Sequence, residues 1–384
     1  MNPGDLFDLP EDIVFLNTAY MGPALRPARE AGIEAVAKLS NPLNFKAPEF
    51  FDPPTRVRKL FAQVIDCDDP DRIALTPSCS YGMANAARQI HPSRHNNIVV
   101  AEGQFPSNFF IWKRLAEESG CELRRVPPPN QSEGRGRLWN QSILNAIDAN
   151  TSLVAIAPLH WADGTVFNLR AIREKTLGSR ALLIVDGSQA VGAMPISVRE
   201  LKPDALICAG YKWLFGPYGT GYAYYSDYFD GGTPMEENWI IRENSDDFQN
   251  LLNYNPNHWP KGMRYSSGEH SAPIHIAMQE AALKQLLEWG PERIQAYTGE
   301  LFEPFEDRFR ELGCQLEEKA FRANHMFGIR MPEGVDLQKL KARLEEARVV
   351  VSFRGSALRI SLHFFNKKND LERLFECVRT QVTG

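Results

Sequence analysis

Four short apolar runs constrain this chain more than any other feature. They are Ile98-Val99-Val100, Leu153-Val154-Ala155-Ile156-Ala157, Leu182-Leu183-Ile184-Val185 and Ala205-Leu206-Ile207-Cys208. None alternates with polar residues, so each is apolar on both faces. That is the pattern of a strand in a parallel sheet covered by helices. Helix-like stretches such as Phe109 to Ser119 and Leu169 to Leu177 lie between the runs, and the alternation predicts an α/β layer architecture. Regular structure is expected to stop at Pro127-Pro128-Pro129-Asn130 and the following Glu133-Gly134-Arg135-Gly136, because proline removes a donor and glycine relaxes φ.

Beyond residue 270 the pattern changes. A helix opened by Pro273 and running to Gly290 carries Leu283, Leu286 and Leu287 on its apolar side. A second helix sets Ile294, Leu301, Phe305, Phe309 and Leu312 at helical spacing and closes at Gly313. Short strands at 327–329, 349–351 and 358–360, with helices at 336–347 and 370–380, complete a small α+β unit. The 384 residues are too many for one small core. We expect an N-terminal arm (1–20), a large domain (21–265) and a small C-terminal domain (266–384).

Composition narrows the function classes. Hydrophobic residues are 43% and charged residues 24%, as in an ordinary globular protein. The net charge, 43 − 48 = −5, offers no basic face for nucleic acid. No apolar run reaches the roughly 18 residues of a membrane span. Six scattered cysteines without a CxxC pair, and a start without a secretory pattern, predict a reducing, cytoplasmic setting. His91 and His95 have helical metal-ligand spacing, but Pro92-Ser93 follows the first and no carboxylate partner is evident, so no metal site is expected.

Residues 182–221 carry the chemistry. Asp186 ends one buried run. Lys212 stands just past the end of the next, followed by Gly216-Pro217-Tyr218-Gly219-Thr220-Gly221. Ligands of open α/β sheets bind beyond the carboxyl ends of strands, so both side chains should enter one crevice. A partly desolvated lysine is neutral some of the time and can form a Schiff base with an aldehyde. A carboxylate beside a pyridine nitrogen keeps that nitrogen protonated, and the ring then accepts electrons. The pair suits pyridoxal phosphate (PLP).

Asp186-x-x-Gln189, Tyr211-Lys212 and the glycines after them resemble the class V aminotransferase family of fold type I PLP enzymes, which includes cysteine desulfurases, kynureninases and isopenicillin N epimerase-like proteins. Phe15-Leu16-Asn17-Thr18-Ala19, Phe105-Pro106-Ser107-Asn108, Arg264-Tyr265-Ser266-Ser267-Gly268-Glu269 and Phe353-Arg354-Gly355-x-x-Leu358-Arg359-Ile360-Ser361-x-His363-x-x-Asn366 resemble further family segments, so the likeness spans nearly the whole chain. It implies a large domain with a mostly parallel sheet covered by helices, a small α+β domain, PLP as cofactor, an amino-acid substrate and a homodimer with shared sites.

Carried over by position, the resemblance gives Lys212 the Schiff base and the proton shuttle. Asp186 meets the pyridine nitrogen, Gln189 the ring hydroxyl and Phe105 the ring face. Ser78, Cys79 and Ser80 precede the helical run Tyr81 to Ile90, whose free N–H groups suit the phosphate. Tyr211 is a further phosphate donor, and Ser267 and Gly268 reach a neighbouring subunit's site. His160 and Trp161 meet the ring hydroxyl or the substrate, and Asn17 joins the substrate side. Arg359 takes the substrate α-carboxylate through two parallel hydrogen bonds.

Residues 315–376 contain no cysteine, so a persulfide mechanism is not expected. Transamination, β-elimination and epimerisation share the same first proton removal; transamination is the expectation. A non-catalytic PLP-binding module is disfavoured because it needs no proton shuttle, and a nicotinamide enzyme because no GxGxxG follows the first strand. The stretch from Trp239 to Trp259, within 226–263, reads as an insertion that lines the pocket or a dimer contact, or packs as an irregular loop.

Overall fold

The computed structural model describes residues 3–131 and 133–383. Its main sheet has seven strands, named here in chain order: β1 (Ile73–Thr76), β2 (Asn97–Ala101), β3 (Glu122–Val126), β4 (Thr151–Ile156), β5 (Leu182–Asp186), β6 (Ala205–Ala209) and β7 (Gly221–Tyr225). They lie in the order β1-β7-β6-β5-β4-β2-β3. All run parallel except β7, which is antiparallel to both neighbours. The four apolar runs form β2, β4, β5 and β6, and β2 and β6 are buried at every position.

Three strands of this sheet were not expected. β3 is an edge strand reading Glu-Leu-Arg-Arg-Val, with Glu122 and Arg125 exposed, so it has no apolar run to find. β1 is only four residues long. β7 supplies aromatics, and Tyr222 stacks on Phe61 at 4.2 Å, an aromatic pair across the sheet–helix boundary. The expected break at 127–136 ends two residues early. Gly134, at φ 62°, turns the chain, and the helix Arg135–Ala146 begins directly. Its first residue is anchored, since Arg135 pairs with Asp163 at 3.0 Å and lies over Trp139.

A second sheet is antiparallel. Its strands are β8 (Gln315–Leu316), β9 (Met326–Arg330), β10 (Ser352–Arg354) and β11 (Ala357–Ser361), in the order β10-β11-β9-β8. Helices Pro291–Glu311, Leu337–Glu346 and Lys368–Thr383 bring Phe305, Phe309, Leu340, Leu344, Leu374 and Val378 into its separate apolar core. Val349–Val350, expected as a strand, does not join this sheet. It pairs in parallel with Val14–Phe15, so the N-terminal segment is tied to the C-terminal one. The helix Pro273–Trp289 was grouped with the C-terminal unit, yet its Ile276, Leu283, Leu286 and Trp289 enter the core of the main sheet, beside helices Arg26–Leu39 and Asp52–Val64. Among the described residues, no helix is long and apolar enough to cross a membrane.

The topology fixes the place of the site. Because β1, β2, β4, β5 and β6 point the same way, the segments leaving them converge on one edge of the sheet. Within four residues of their strands, those segments carry Ser78, Phe105, His160, Ser188 and Tyr211.

Candidate active site

A cavity of about 290 Å³ opens at that edge. Lys212, Asp186, Gln189, Ser78, Cys79, Ser80, Phe105, His160, Trp161 and Tyr211 all line it. Nearly every sequence-expected residue of the cofactor end is therefore brought together.

Lys212 sits on a tightly folded segment. Gly210 N–H donates to the Thr220 carbonyl at 2.8 Å, and Gly22 N–H donates to the Tyr211 carbonyl at 3.0 Å. A Cβ at Gly22 would stand 2.1 Å from the Lys212 carbonyl oxygen, so only glycine permits this approach. Lys212 is buried, and burial pulls its ammonium below the ordinary lysine value. Asp186 and Cys79 oppose that shift, while Arg359 and Arg354 add to it. A lysine so placed is neutral more readily than one in water.

Asp186 ends β5. Its Oδ1 accepts from the Ser188 N–H at 3.0 Å and from the Cys79 thiol at 3.6 Å. Burial first, and the neighbouring carboxylate second, raise the Cys79 thiol well above its ordinary value, so it remains a donor. Both contacts fall on one oxygen and leave Oδ2 for a ligand. Cys79, expected at the phosphate, thus has its thiol turned toward Asp186.

The phosphate end keeps other donors. The helix Cys79–Arg88 begins here, and its N-cap Ser78 spends its hydroxyl on the Tyr81 N–H at 3.1 Å. The N–H groups of the first turn and the Ser80 hydroxyl remain, the latter bonded to Ser107 at 2.8 Å. Tyr211 and Tyr218 bring two phenols, their rings 4.7 Å apart. Ser107 and Tyr218 line the cavity but were not singled out in the sequence. Their only signal was adjacency, Ser107 to Phe105-Pro106 and Tyr218 to Gly216-Pro217.

Other placements differ from expectation. Both nitrogens of His160 face oxygens, Asp163 at 3.2 Å and the Gly103 carbonyl at 2.9 Å, so neither is aimed at a ring hydroxyl. Asp163 is held well below the usual carboxylate range: burial works against it, but His160, Arg135 and Arg330 outweigh burial. Gln189 donates to the Ala19 carbonyl at 3.0 Å and accepts from Trp213 Nε1 at 2.9 Å, which leaves one amide hydrogen for the cavity. Asn17 accepts from the Ser352 hydroxyl at 2.8 Å and does not line the cavity. Ser267 and Gly268, expected at a neighbouring subunit's site and not at this one, lie beside β1 outside this chain's own cavity; Ser267 N–H donates to the Leu75 carbonyl at 3.1 Å and Gly268 N–H to Glu236. The 226–263 stretch contributes nothing to the cavity lining; its Trp239 and Phe248 pack on Phe50 and Phe51.

Arg359, on β11, is 1% exposed. Its Nη1 donates to the Trp161 carbonyl at 2.9 Å, its Nη2 approaches the Ser352 hydroxyl at 3.4 Å, and its Nε has no partner. Burial, then Arg354, lowers it to about 9. A buried guanidinium without a carboxylate is costly, and an anionic ligand would relieve that cost.

Residues 47–374 match the family model for class-V aminotransferases. The chain is 26% identical over 335 residues to an uncharacterised aminotransferase of Schizosaccharomyces pombe, covering 85% of this chain and 81% of the other. It is 23% identical to isopenicillin N epimerase of Amycolatopsis lactamdurans, covering 98% and 97%. Among solved structures, a cystine C–S lyase in complex with cysteine persulfide superposes with a TM-score of 0.83 at 20% identity, covering 96% and 97%. A variant of that lyase, with glycine covalently linked to its PLP cofactor, superposes with a TM-score of 0.80 at 19% identity, covering 96% of each chain. The residues here fit PLP: a lysine of lowered basicity, a carboxylate oxygen left free, an aromatic ring 5.1 Å from the lysine Nζ, and a hydroxyl-rich helix start.

Proposed function

The chain belongs to the class V aminotransferase family of PLP-dependent enzymes, and we propose that it is an aminotransferase acting on an amino acid, assembled as a homodimer. The observation that carries the reading is the pairing of one proton-carrying amine with one inert ring across the cavity. Lys212 Nζ lies 5.1 Å from the centre of the Phe105 ring.

The bound cofactor supplies an aldehyde that takes the substrate amine and a ring that draws electrons from the α-carbon. The chain supplies the rest. Asp186 Oδ2 would hold the proton on the ring nitrogen, and its other oxygen is kept in place by Ser188 and Cys79. Arg359 orients the substrate carboxylate. Lys212, neutral at lower pH than a free lysine, takes the α-proton and returns it. Phe105 would lie against the bound ring with a side chain that can neither give nor take a proton, which would leave Lys212 as the proton carrier and favour transamination over epimerisation. No cysteine stands on the β10–β11 hairpin near Arg359 to carry sulfur, and Cys314 and Cys377 are buried in the C-terminal core.

The test is product stoichiometry. With an amino acid and no acceptor, the purified holoenzyme should form one equivalent of keto acid per subunit and stop, then resume when pyruvate or 2-oxoglutarate is added. Continuous keto acid and ammonia without an acceptor would make it a lyase.

A further inference from the structure

Behind Trp161, which lines the cavity, the β10–β11 hairpin brings two guanidinium groups that do not themselves line it and have no carboxylate partner among the described residues. Arg354 stands at the end of β10, before the two-residue Gly355-Ser356 turn, where Gly355 takes φ 60°. Its guanidinium lies over the Trp161 ring, 5.0 Å from the centre. Trp161 meets Phe105 edge-on at 5.4 Å, and Phe105 faces Lys212. Arg354, Trp161, Phe105 and Lys212 therefore form a continuous wall.

Arg354 donates only to its neighbour's Phe353 carbonyl, at 2.8 Å, and its Nε is buried without a partner. Among the described residues, no Asp or Glu pairs with Arg354 or with Arg359, and the two guanidinium groups and Lys212 repel one another. A substrate α-carboxylate held by the Arg359 fork would leave the Arg354 fork, two positions further along the same face of the hairpin, for a second anion.

We propose that Arg354 is a specificity residue for a second anionic group, so that the preferred substrate is an amino acid with an acidic side chain. This rests on the amino-acid reading of the site given above. A guanidinium presents a rigid fork to a carboxylate or sulfinate, and Trp161 holds the fork flat from behind. A neutral side chain of the same size leaves the guanidinium without a counter-charge.

Isosteric pairs isolate the charge. Dissociation constants of the holoenzyme for L-aspartate and L-asparagine, and for L-glutamate and L-glutamine, are read from the change in visible cofactor absorbance and from KM. The wild type should bind the acid of at least one pair about 30-fold more tightly than its amide, the order expected of a charge-assisted hydrogen bond. Arg354→Gln should collapse that ratio toward one, and Arg354→Lys should retain part of it. Equal affinity for acid and amide in the wild type, which needs no variant to measure, would overturn the proposal. So would an Arg354→Gln variant that weakens both members of a pair alike. If amides and other neutral amino acids react and acids do not, this proposal fails while the amino-acid reading stands. If no amino acid changes the absorbance, both fail.

Discussion

The cofactor cavity and the arginine hairpin beside it, its substrate end in the proposed reading, are built on different principles. At the cofactor end, the groups come from loops that leave parallel strands, and most polar groups already have a partner within the chain. Asp186 is held by Ser188 and Cys79 and faces Lys212; Ser78 caps its own helix. At the substrate end, the groups come from an antiparallel hairpin. Arg359 and Arg354 are desolvated with no carboxylate beside them. The first end is preorganised, and the second is left incomplete. The difference teaches where binding energy is stored: a ligand anion gains what the folded chain forgoes by burying those guanidinium groups.

Replacing Lys212 by alanine should have the largest effect. Loss of the proton carrier should lower kcat by about 10³-fold, the usual scale of general acid–base catalysis. Thermal unfolding of the variant should show a fold at least as stable, because a costly buried amine is gone. A variant retaining a tenth of the activity would move the chemistry to another residue.

Arg359→Met sharpens the contrast between the ends. Amino-acid affinity should fall by about 100-fold, since a charged hydrogen-bonded pair is lost. The ligand-free protein should unfold at the same or a higher temperature, because an unpaired buried charge is replaced by an apolar side chain of similar length. A marked loss of thermal stability would mean that Arg359 is satisfied in the resting fold.

Acid should reach the site through its supports. Burial holds His325 at about 4 and His363 at about 3, both below the ordinary value of 6.5. The unfolded chain then binds protons that the fold excludes. The stability contributed is complete above pH 6.5 and is lost as pH falls from there toward 4, by about 1.4 kcal/mol per pH unit for each imidazole. His325 Nε2 donates to the Gln189 carbonyl at 2.8 Å, and its Nδ1 accepts from Gln295 at 2.7 Å, so its protonation breaks the Gln295 bond on the far side of the ring from Gln189. Urea midpoints between pH 7 and 5 should show this slope, and His363→Phe, set in its aromatic surroundings, should remove part of it.

The smallest effect belongs to Cys79→Ala. It removes one of two donors on Asp186 Oδ1, and the cost should be severalfold in cofactor affinity, about 1 kcal/mol. Equilibrium dialysis of PLP measures it. A hundredfold loss would make the thiol a principal ligand rather than a brace.

The sequence made the cofactor end easier to read than the substrate end, for a physical reason. β5 and β6 are continuous apolar runs, and whatever follows such a run in a parallel sheet arrives at one edge. Asp186 and Lys212 could be placed by that rule alone. Edge and antiparallel strands carry no such signal, and β3 and β7 were passed over. Side-chain direction was not legible either. Cys79 and Ser80 are neighbours, yet one turns to Asp186 and the other to Ser107. His160 looked like a ligand, but its environment supplies acceptors for both nitrogens. Arg354 lay within a quoted motif and drew no role, because an unpaired charge becomes visible only when its neighbours in space are known.

The most direct measurement is the site of attachment. Purified protein with PLP is reduced with borohydride, digested, and its peptides are weighed. The account predicts the cofactor's mass on the peptide containing Lys212, at close to one per chain, and none in Lys212→Ala. Attachment at another lysine, or at none, would contradict it.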